Sequence, residues 1–350
     1  MSSAQPAPTL GRMSPRVIAA ALALSACAAD DIDSVWSGDR DLAADPAPPG
    51  SLPLDELPRA LADPGLCADA SCAALSVGVA EFEPRWPLWS DGATKRRWIW
   101  LPPGTQIDNR DADYWQFPVG TKLWKEFTRD GVRVETRYMA RWGTADDAWI
   151  FGAYEWDLAA KRAVLMKDGD TNVNGTAHDI PAAKACTGCH ANVKSRVLGF
   201  GAFQLDYDAP EGHIDLADLA ATDRLSAPPS SFPMLPLPGD ATEQAALGYF
   251  HANCGHCHNS RSPLINRPSL RLESAHIATL AATKAYKTTV NVQGATFGGA
   301  TVIAKPGDPD HSIIVTRMTA PDLKKRMPAL GVEVVDPDGL ALIRRWIKEL

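Results

Sequence analysis

Two five-residue strings could do chemistry in this chain: Cys186-Thr-Gly-Cys189-His190 and Cys254-Gly-His-Cys257-His258. Both match Cys-x-x-Cys-His, the pattern through which haem c is attached. The porphyrin sets the spacing. Two thiols add to its two vinyl groups, and the histidine directly after the second thiol then sits under the iron as proximal ligand. With 7 Cys and 8 His in 350 residues, one chance match is expected on the order of 0.003 times. Two matches point to two covalent haem c groups on Cys186, Cys189, Cys254 and Cys257, with His190 and His258 as iron ligands. The competing chemistry is a single zinc ion on the same four thiols, since two Cys-x-x-Cys pairs make a full structural set. Zinc gives no reason for a histidine after each pair.

The other three cysteines need their own account. Arg12 and Arg16 precede Val17 to Ala26, an apolar run that suits a signal peptide and is too short to span a bilayer. The run ends Leu24-Ser-Ala-Cys27, which resembles a bacterial lipobox, so residues 1–27 are expected to be a lipoprotein signal whose Cys27 carries lipid. A plain signal peptide, with Cys27 incidental, is the simpler alternative. Removing residues 1–26 takes away two arginines and no acid, carrying the formal charge from −7 to −9. Residues 28–55, rich in Ala, Asp and Pro, read as a disordered tether. Cys67 and Cys72 remain, and an exported protein is expected to join them as a disulfide.

Elements must hold the two motifs. Ala245 to Asn253 forms an amphipathic helix that delivers Cys254 at its end, as in a class I cytochrome c. At the other end Asp336 caps a helix with Pro337 in its first position, and Leu340, Ile343, Trp346, Ile347 and Leu350 recur at helical spacing. Between them Arg326-Met327-Pro328 resembles the loop that brings an axial methionine to the iron. Met327 is thus the expected sixth ligand of the second haem, with Met318 as competitor in an apolar register that suits core. Lys324, Lys325 and Arg326 beside it could steer an acidic redox partner, or be ordinary surface. The first haem is less well specified. Pro181 leaves room for one turn before Cys186, and Met234, His178, His213 and His251 all stand open as its sixth ligand.

Upstream, residues 98–100, 121–127, 132–139, 149–156 and 162–166 are short, aromatic or β-branched and alternating, and Asp130-Gly131 marks a hairpin turn. A β-sandwich-like domain is expected, with its nine tryptophans as core more than as a glycan platform. The expected fold class is α+β multidomain. It comprises a β-rich domain at 56–170, a first haem c segment with a Pro-rich linker at 171–240, and an all-α class I cytochrome c domain at 241–350.

Composition agrees with a soluble body: 45% hydrophobic and 22% charged residues exclude dominant disorder and a polytopic membrane protein. The net charge of −7 argues against a nucleic-acid partner. Trp86-Pro-Leu-Trp-Ser-Asp-Gly-Ala93, Trp115-Gln-Phe-Pro-Val-Gly-Thr121, Glu135-Thr-Arg137, the first haem motif with Leu198-Gly-Phe and Gln204-Leu205 after it, and the second haem motif occur in this order. Over residues 80–350 the chain resembles a family of bacterial di-haem c-type cytochromes of unassigned role. Its haem segments are similar to those of some exported glucose/sorbosone dehydrogenase-like proteins. Asp206 stands where that pattern has Asn. The resemblance implies periplasmic electron transfer, with a redox partner protein or dehydrogenase, at the periplasmic side of a Gram-negative outer membrane. A haem enzyme such as a peroxidase at the first haem, or a binding module built on the Trp-rich domain, are the alternatives.

Overall fold

The computed structural model describes residues 57, 59, 65–68, 74–159, 161–262 and 267–350. The signal, Cys27, the tether and Cys72 lie outside the described residues. Cys67 is disulfide-bonded. Among the described residues no helix is long and apolar enough to cross a membrane.

Six strands form one antiparallel meander in chain order: β1 (Val79–Glu81), β2 (Thr94–Trp100), β3 (Lys122–Arg129), β4 (Val132–Arg141), β5 (Trp149–Asp157) and β6 (Arg162–Leu165); the last five overlap the expected segments and β1 lies outside them. Between β3 and β4, Asp130 and Gly131 both take positive φ, 51° and 79°. That is the backbone of a primed two-residue turn, which Asp-Gly adopts at low cost. Register sets Trp98 opposite Trp124 and Trp124 opposite Tyr138. It likewise sets Ile99 opposite Leu123, Leu123 opposite Met139 and Met139 opposite Phe151. Side chains alternate along a strand, so these two rows occupy opposite faces. The tryptophan row packs with Leu57, Leu66 and Trp156. The aliphatic row packs against Phe200, Leu205, Leu216 and Leu219 from the following segment.

That packing corrects the expected sandwich. A second sheet would be needed to cover the first, and here one face is closed instead by non-sheet chain from residues 197–225. The nine tryptophans between Trp86 and Trp156 are buried or half-buried, none exposed, so no aromatic platform faces solvent.

The expected all-α class I cytochrome c domain is also corrected. The described helices are few and short: α1 (Cys186–His190), α2 (Ala202–Leu205), α3 (Leu216–Ala221), α4 (Ala241–Asn253), α5 (Lys284–Thr289), α6 (Ile313–Met318) and α7 (Pro337–Glu349). Between α4 and α7 the chain makes single-turn helices and a two-stranded ribbon, β7 (Gln293–Phe297) and β8 (Ala300–Val302). Sequence explains this. Residues 288–303 are rich in Thr and Val, which favour extended backbone, and Gly298-Gly299 turns the ribbon at φ 56° and 81°. The architecture is therefore mostly β. The longer helices α4 and α7 still pack on each other, Phe250 edge-on to Trp346 at 5.3 Å. Burial of Phe250 alone contributes about 1.5–3 kcal/mol. Reciprocal bonds between Asp240 and Glu243 start α4, and the Asp336 carboxylate accepts from the Gly339 amide at 2.9 Å to start α7.

Residues 85–95 bind the sheet to both haem-motif segments. The Trp86 amide donates to Gln204 Oε1 at 3.0 Å, and a Cβ on Gly248 of α4 would overlap the Trp86 indole. The Trp89 amide donates to Asn253 Oδ1 at 2.7 Å, next to Cys254, and its Nε1 to the Val334 carbonyl at 2.9 Å. The Asp91 carboxylate accepts from the amides of Glu333 and Val334. The Trp-Pro-Leu-Trp-Ser-Asp string is thus a clasp.

Candidate functional site

Each motif occupies a tight turn. After Pro181 a single 3₁₀ turn (Ala183–Ala185) leads into α1, which is the first motif itself. One helical turn separates Cys186 from His190, so both thiols and the ring lie along one stretch of surface. The second motif follows the C-terminus of α4. Amides of Cys257 and His258 donate to the Cys254 carbonyl at 3.1 and 2.8 Å, curling the five residues into a turn.

Cys186, Cys189 and His190 open into a cavity of about 1380 Å³ of empty space, including its mouth to solvent. The aliphatic face of the sheet (Leu123, Met139, Phe151), the Ser195–Gln204 segment, and His251, Ala252 and His256 of the second motif's arm also line it. Of the second motif itself only His256 lines this cavity; Cys254, Cys257 and His258 are not among the lining residues. Cys189 and Cys257 are near enough that charge on the former raises the pKa of the latter.

The three side chains of the first motif are half-buried at this cavity. As free thiols Cys186 is pushed up by burial to about 11, and Cys254 and Cys257 to about 12. All four motif thiols are unbridged. His190 is held down to about 4, first by desolvation and further by Lys125 and His256, so its ring is neutral. Its Nδ1 lies 2.5 Å from the Arg196 carbonyl oxygen. A carbonyl can only accept, so the proton sits on Nδ1 and the Nε2 lone pair is free, which is the orientation a metal-ligating histidine needs. At His258 the Pro268 carbonyl works in the same sense against desolvation, although Nδ1 has no partner of hydrogen-bonding geometry.

Behind the first motif stands a buried ion pair. Glu135, with no exposed surface, accepts from Arg137 Nε at 2.7 Å and Nη2 at 3.1 Å, and lies 2.8 Å from His178 Nε2. Desolvation raises its pKa, but Arg137 and the His178 hydrogen bond outweigh that and hold it below 4.5. The Glu135-Thr-Arg137 string thus places two opposite charges on one face of β4, with Arg137 lining the cavity next to Cys186 and Cys189.

The remaining expected residues distribute as follows. His178 is occupied by Glu135. His213 lies near Glu81 at 3.7 Å. Met234 packs against the core beside the sheet, its amide donating to Asp206 Oδ1 at 2.9 Å. Asp206 takes the Leu235 amide as well, at 2.6 Å, so both carboxylate oxygens fasten this segment. Of the four candidates only His251 lines the cavity, and its Nδ1 accepts from the Leu272 amide at 3.1 Å. That leaves its proton on Nε2. Met318 is core. Met327 is half-buried in the loop before α7, its amide donating to the Arg317 carbonyl at 3.0 Å, and it is not among the residues lining the cavity. Of its basic neighbours, Lys325 pairs with Asp322 at 3.3 Å and Arg326 donates to the carbonyls of Ala320 and Glu333.

Two groups of cavity residues were missed from sequence. One is His256, the variable residue inside the second motif, which lines the cavity and is held neutral, its pKa pushed down to about 4 chiefly by burial. A histidine between the two cysteines of Cys-Gly-His-Cys was the available signal. The other is a set of cations: Arg97, Lys125, Arg137 and Arg271 all line the cavity.

A haem fits this donor set. The motif histidine at the cavity presents a free Nε2, the thiols are unbridged, and apolar walls from Leu123, Met139, Phe151 and Phe200 suit a porphyrin face. Among the described residues no three His, Cys, Asp or Glu side chains converge to hold a metal ion directly.

No family model, curated protein or solved structure matches the chain.

Proposed function

We propose that the chain is an exported di-haem c-type cytochrome, anchored through lipid on Cys27, that carries electrons between a periplasmic dehydrogenase or other redox partner and a further acceptor. The observation that carries this reading is a Cys-x-x-Cys-His turn opening into a cavity that His256 of the second such turn also lines, with the Nδ1 of His190 tied to a backbone carbonyl. A haem bound there supplies a one-electron iron couple whose potential follows its axial ligands, burial and local charge.

The protein's own residues have separable tasks. The Arg196 carbonyl fixes the tautomer and plane of His190. Phe151, its ring centroid 4.9 Å from that of His190, restricts rotation of the imidazole. Leu123, Met139 and Phe200 keep water from the apolar side. The Trp86–Asp91 clasp holds Gln204, and Asn253 next to Cys254, on one segment of chain. Met327 is retained as the sixth ligand proposed for the second haem. For the first, His256 is the better candidate: it is neutral, lines the cavity with His190 and is close enough that each ring's charge would affect the other. His251 is disfavoured by its tautomer.

Visible spectra of the purified protein, oxidised and reduced, with and without cyanide or peroxide, test the assignment. An electron carrier with both irons fully ligated shows no spectral change on adding either reagent, and two reversible one-electron waves in voltammetry of the same protein. Rapid reaction of one haem with peroxide would transfer the assignment to a haem enzyme.

A further inference from the structure

Three strands of the sheet contribute one cation each to the cavity wall: Arg97 from β2, Lys125 from β3 and Arg137 from β4, with Lys125 and Arg137 directly paired in the β3–β4 register. Arg271 enters from the segment after the second motif. Four acids act on them: Glu83 on Arg97, Glu135 on Arg137 and Lys125, and Asp113 and Glu273 on Arg271. Glu135 is committed to Arg137. Asp113 lines the cavity, but its carboxylate takes the amide and hydroxyl of Ser274 at 2.8 and 3.2 Å.

Beyond the Arg137 pair these carboxylates act from farther than ion-pair contact, and Arg271 also bonds the Tyr114 side chain. Arg97 is only 6% exposed, and burial pushes its pKa down to about 10 against the pull of Glu83. Arg271 gives Nη2 to the Asp113 carbonyl at 2.9 Å and faces the Tyr114 ring, but its Nε is buried with no partner. Lys125 has the Phe127 ring at 5.0 Å as its neighbour, and burial with Arg137, Arg97 and Lys95 drives its pKa well below the ordinary lysine value, so its charge is held only when an anion binds beside it. Buried cations without partners are costly, by several kcal/mol per ion, and a chain keeps them where a ligand supplies the counter-charge. The ligand must be anionic, must enter beside the first motif, and must offer planar oxygen pairs, which suit a guanidinium fork.

We propose that Arg97, Lys125 and Arg271 form a carboxylate-binding wall that pairs with the propionates of the haem held by Cys186 and Cys189. This rests on the haem reading above and adds to it the residues that set the cofactor's orientation and raise its potential. Positive charge beside the ring favours the reduced iron, whose net charge is lower by one. At an effective dielectric constant of 20, one unit charge at about 10 Å changes the reduction equilibrium by about tenfold.

The test uses holoprotein matured in a haem-attaching periplasm, as wild type, Arg97→Gln, Arg271→Gln, and Arg97→Lys, with Arg96→Gln as control. Arg96 neighbours Arg97 on β2 but pairs with Glu81, its side chain 59% exposed. Intact mass and far-UV circular dichroism first establish haem content and fold. The proposal expects each Gln variant to lower the reduction equilibrium constant of one haem by about tenfold, about 59 mV for one electron. The propionate bending mode in the resonance Raman spectrum shifts with it, Arg97→Lys restores most of the potential, and Arg96→Gln leaves both unchanged. Two attached haems with potentials and propionate modes unmoved in both Gln variants would overturn the wall and leave the haem reading standing; a protein that takes up no haem would overturn that reading instead. Titrating wild-type holoprotein with succinate supplies the remaining arm. A saturable potential shift that both Gln variants lose would mean that the cations stay free for a soluble carboxylate, and would overturn the propionate assignment.

Discussion

Replacing Glu135 by Gln removes one negative charge from the deepest part of the site while keeping the shape of the side chain. The carboxylate has no exposed surface and receives both a two-pronged bond from Arg137, at 2.7 and 3.1 Å, and a contact of 2.8 Å with His178. At about 4 Å between charge centres and an effective dielectric constant of 20, the attraction to Arg137 is about 4 kcal/mol. Desolvation offsets much of this in the intact pair. The variant, however, leaves Arg137 uncompensated beside Lys125 and Arg97, and breaking a buried pair from one side costs about 3–5 kcal/mol. The amide oxygen still accepts one bond, so the lower end, about 3 kcal/mol, is expected. Urea unfolding of the holoprotein followed by far-UV circular dichroism should show the midpoint falling by about 1 M or more. Asp108→Asn breaks a pair with Arg110 on the surface and should cost less than about 1 kcal/mol. The pH dependence gives an independent check. The folded-state pKa of Glu135 is depressed, so its contribution is present above the ordinary carboxylate value of 4.5 and is lost as pH falls through the folded value. The difference between wild type and variant should therefore shrink as pH drops below about 4. A midpoint within about 0.2 M of wild type at pH 7 would refute the view that this pair supports the cavity.

Gly248→Ala would drive a methyl group into the Trp86 indole. Overpacking of this kind costs about 1–3 kcal/mol, and thermal unfolding should register it, whereas Gly201→Ala, where a Cβ meets nothing within 4 Å and the backbone is extended at φ 177°, should cost less. Met327→Ala should abolish a methionine-to-iron charge-transfer band and lower the potential of the second haem; loss of that band in Met318→Ala alone would move the role to Met318. Cys27→Ser should release the protein from the membrane fraction with its haem spectrum unchanged, and a wild type already wholly soluble in the periplasm would contradict the anchor.

Much of the sheet was legible because Trp98, Trp124 and Tyr138 alternate with Arg97, Lys125 and Arg137 at period two. Alternation identifies two faces without saying what covers them. The charged members look like a solvated face, and the structure turns that face inward, over the first motif. Glu135 is invisible to the same reading, since a Glu two residues before an Arg on a strand is commonplace at a surface. The haem motifs were plain because their chemistry demands a contiguous string. The cover of the sheet was not, because it comes from residues 197–225, whose Phe200, Leu205 and Leu216 carry neither strand nor long-helix periodicity. Asp336 and Pro337 correctly signalled the start of α7 through local capping chemistry. The ribbon at 293–302 was lost because two apolar helices with haem-like motifs suggested that everything between them was helical.

The central claim, two covalent haems on the two motifs, is tested most directly by the intact mass of protein matured in a haem-attaching periplasm, with Cys186→Ala/Cys189→Ala and Cys254→Ala/Cys257→Ala measured alongside. The account predicts a wild-type mass exceeding that of the processed polypeptide by two haem masses, and by one in each double variant. A wild-type excess of one haem or none, or one equivalent of zinc in its place, would contradict it.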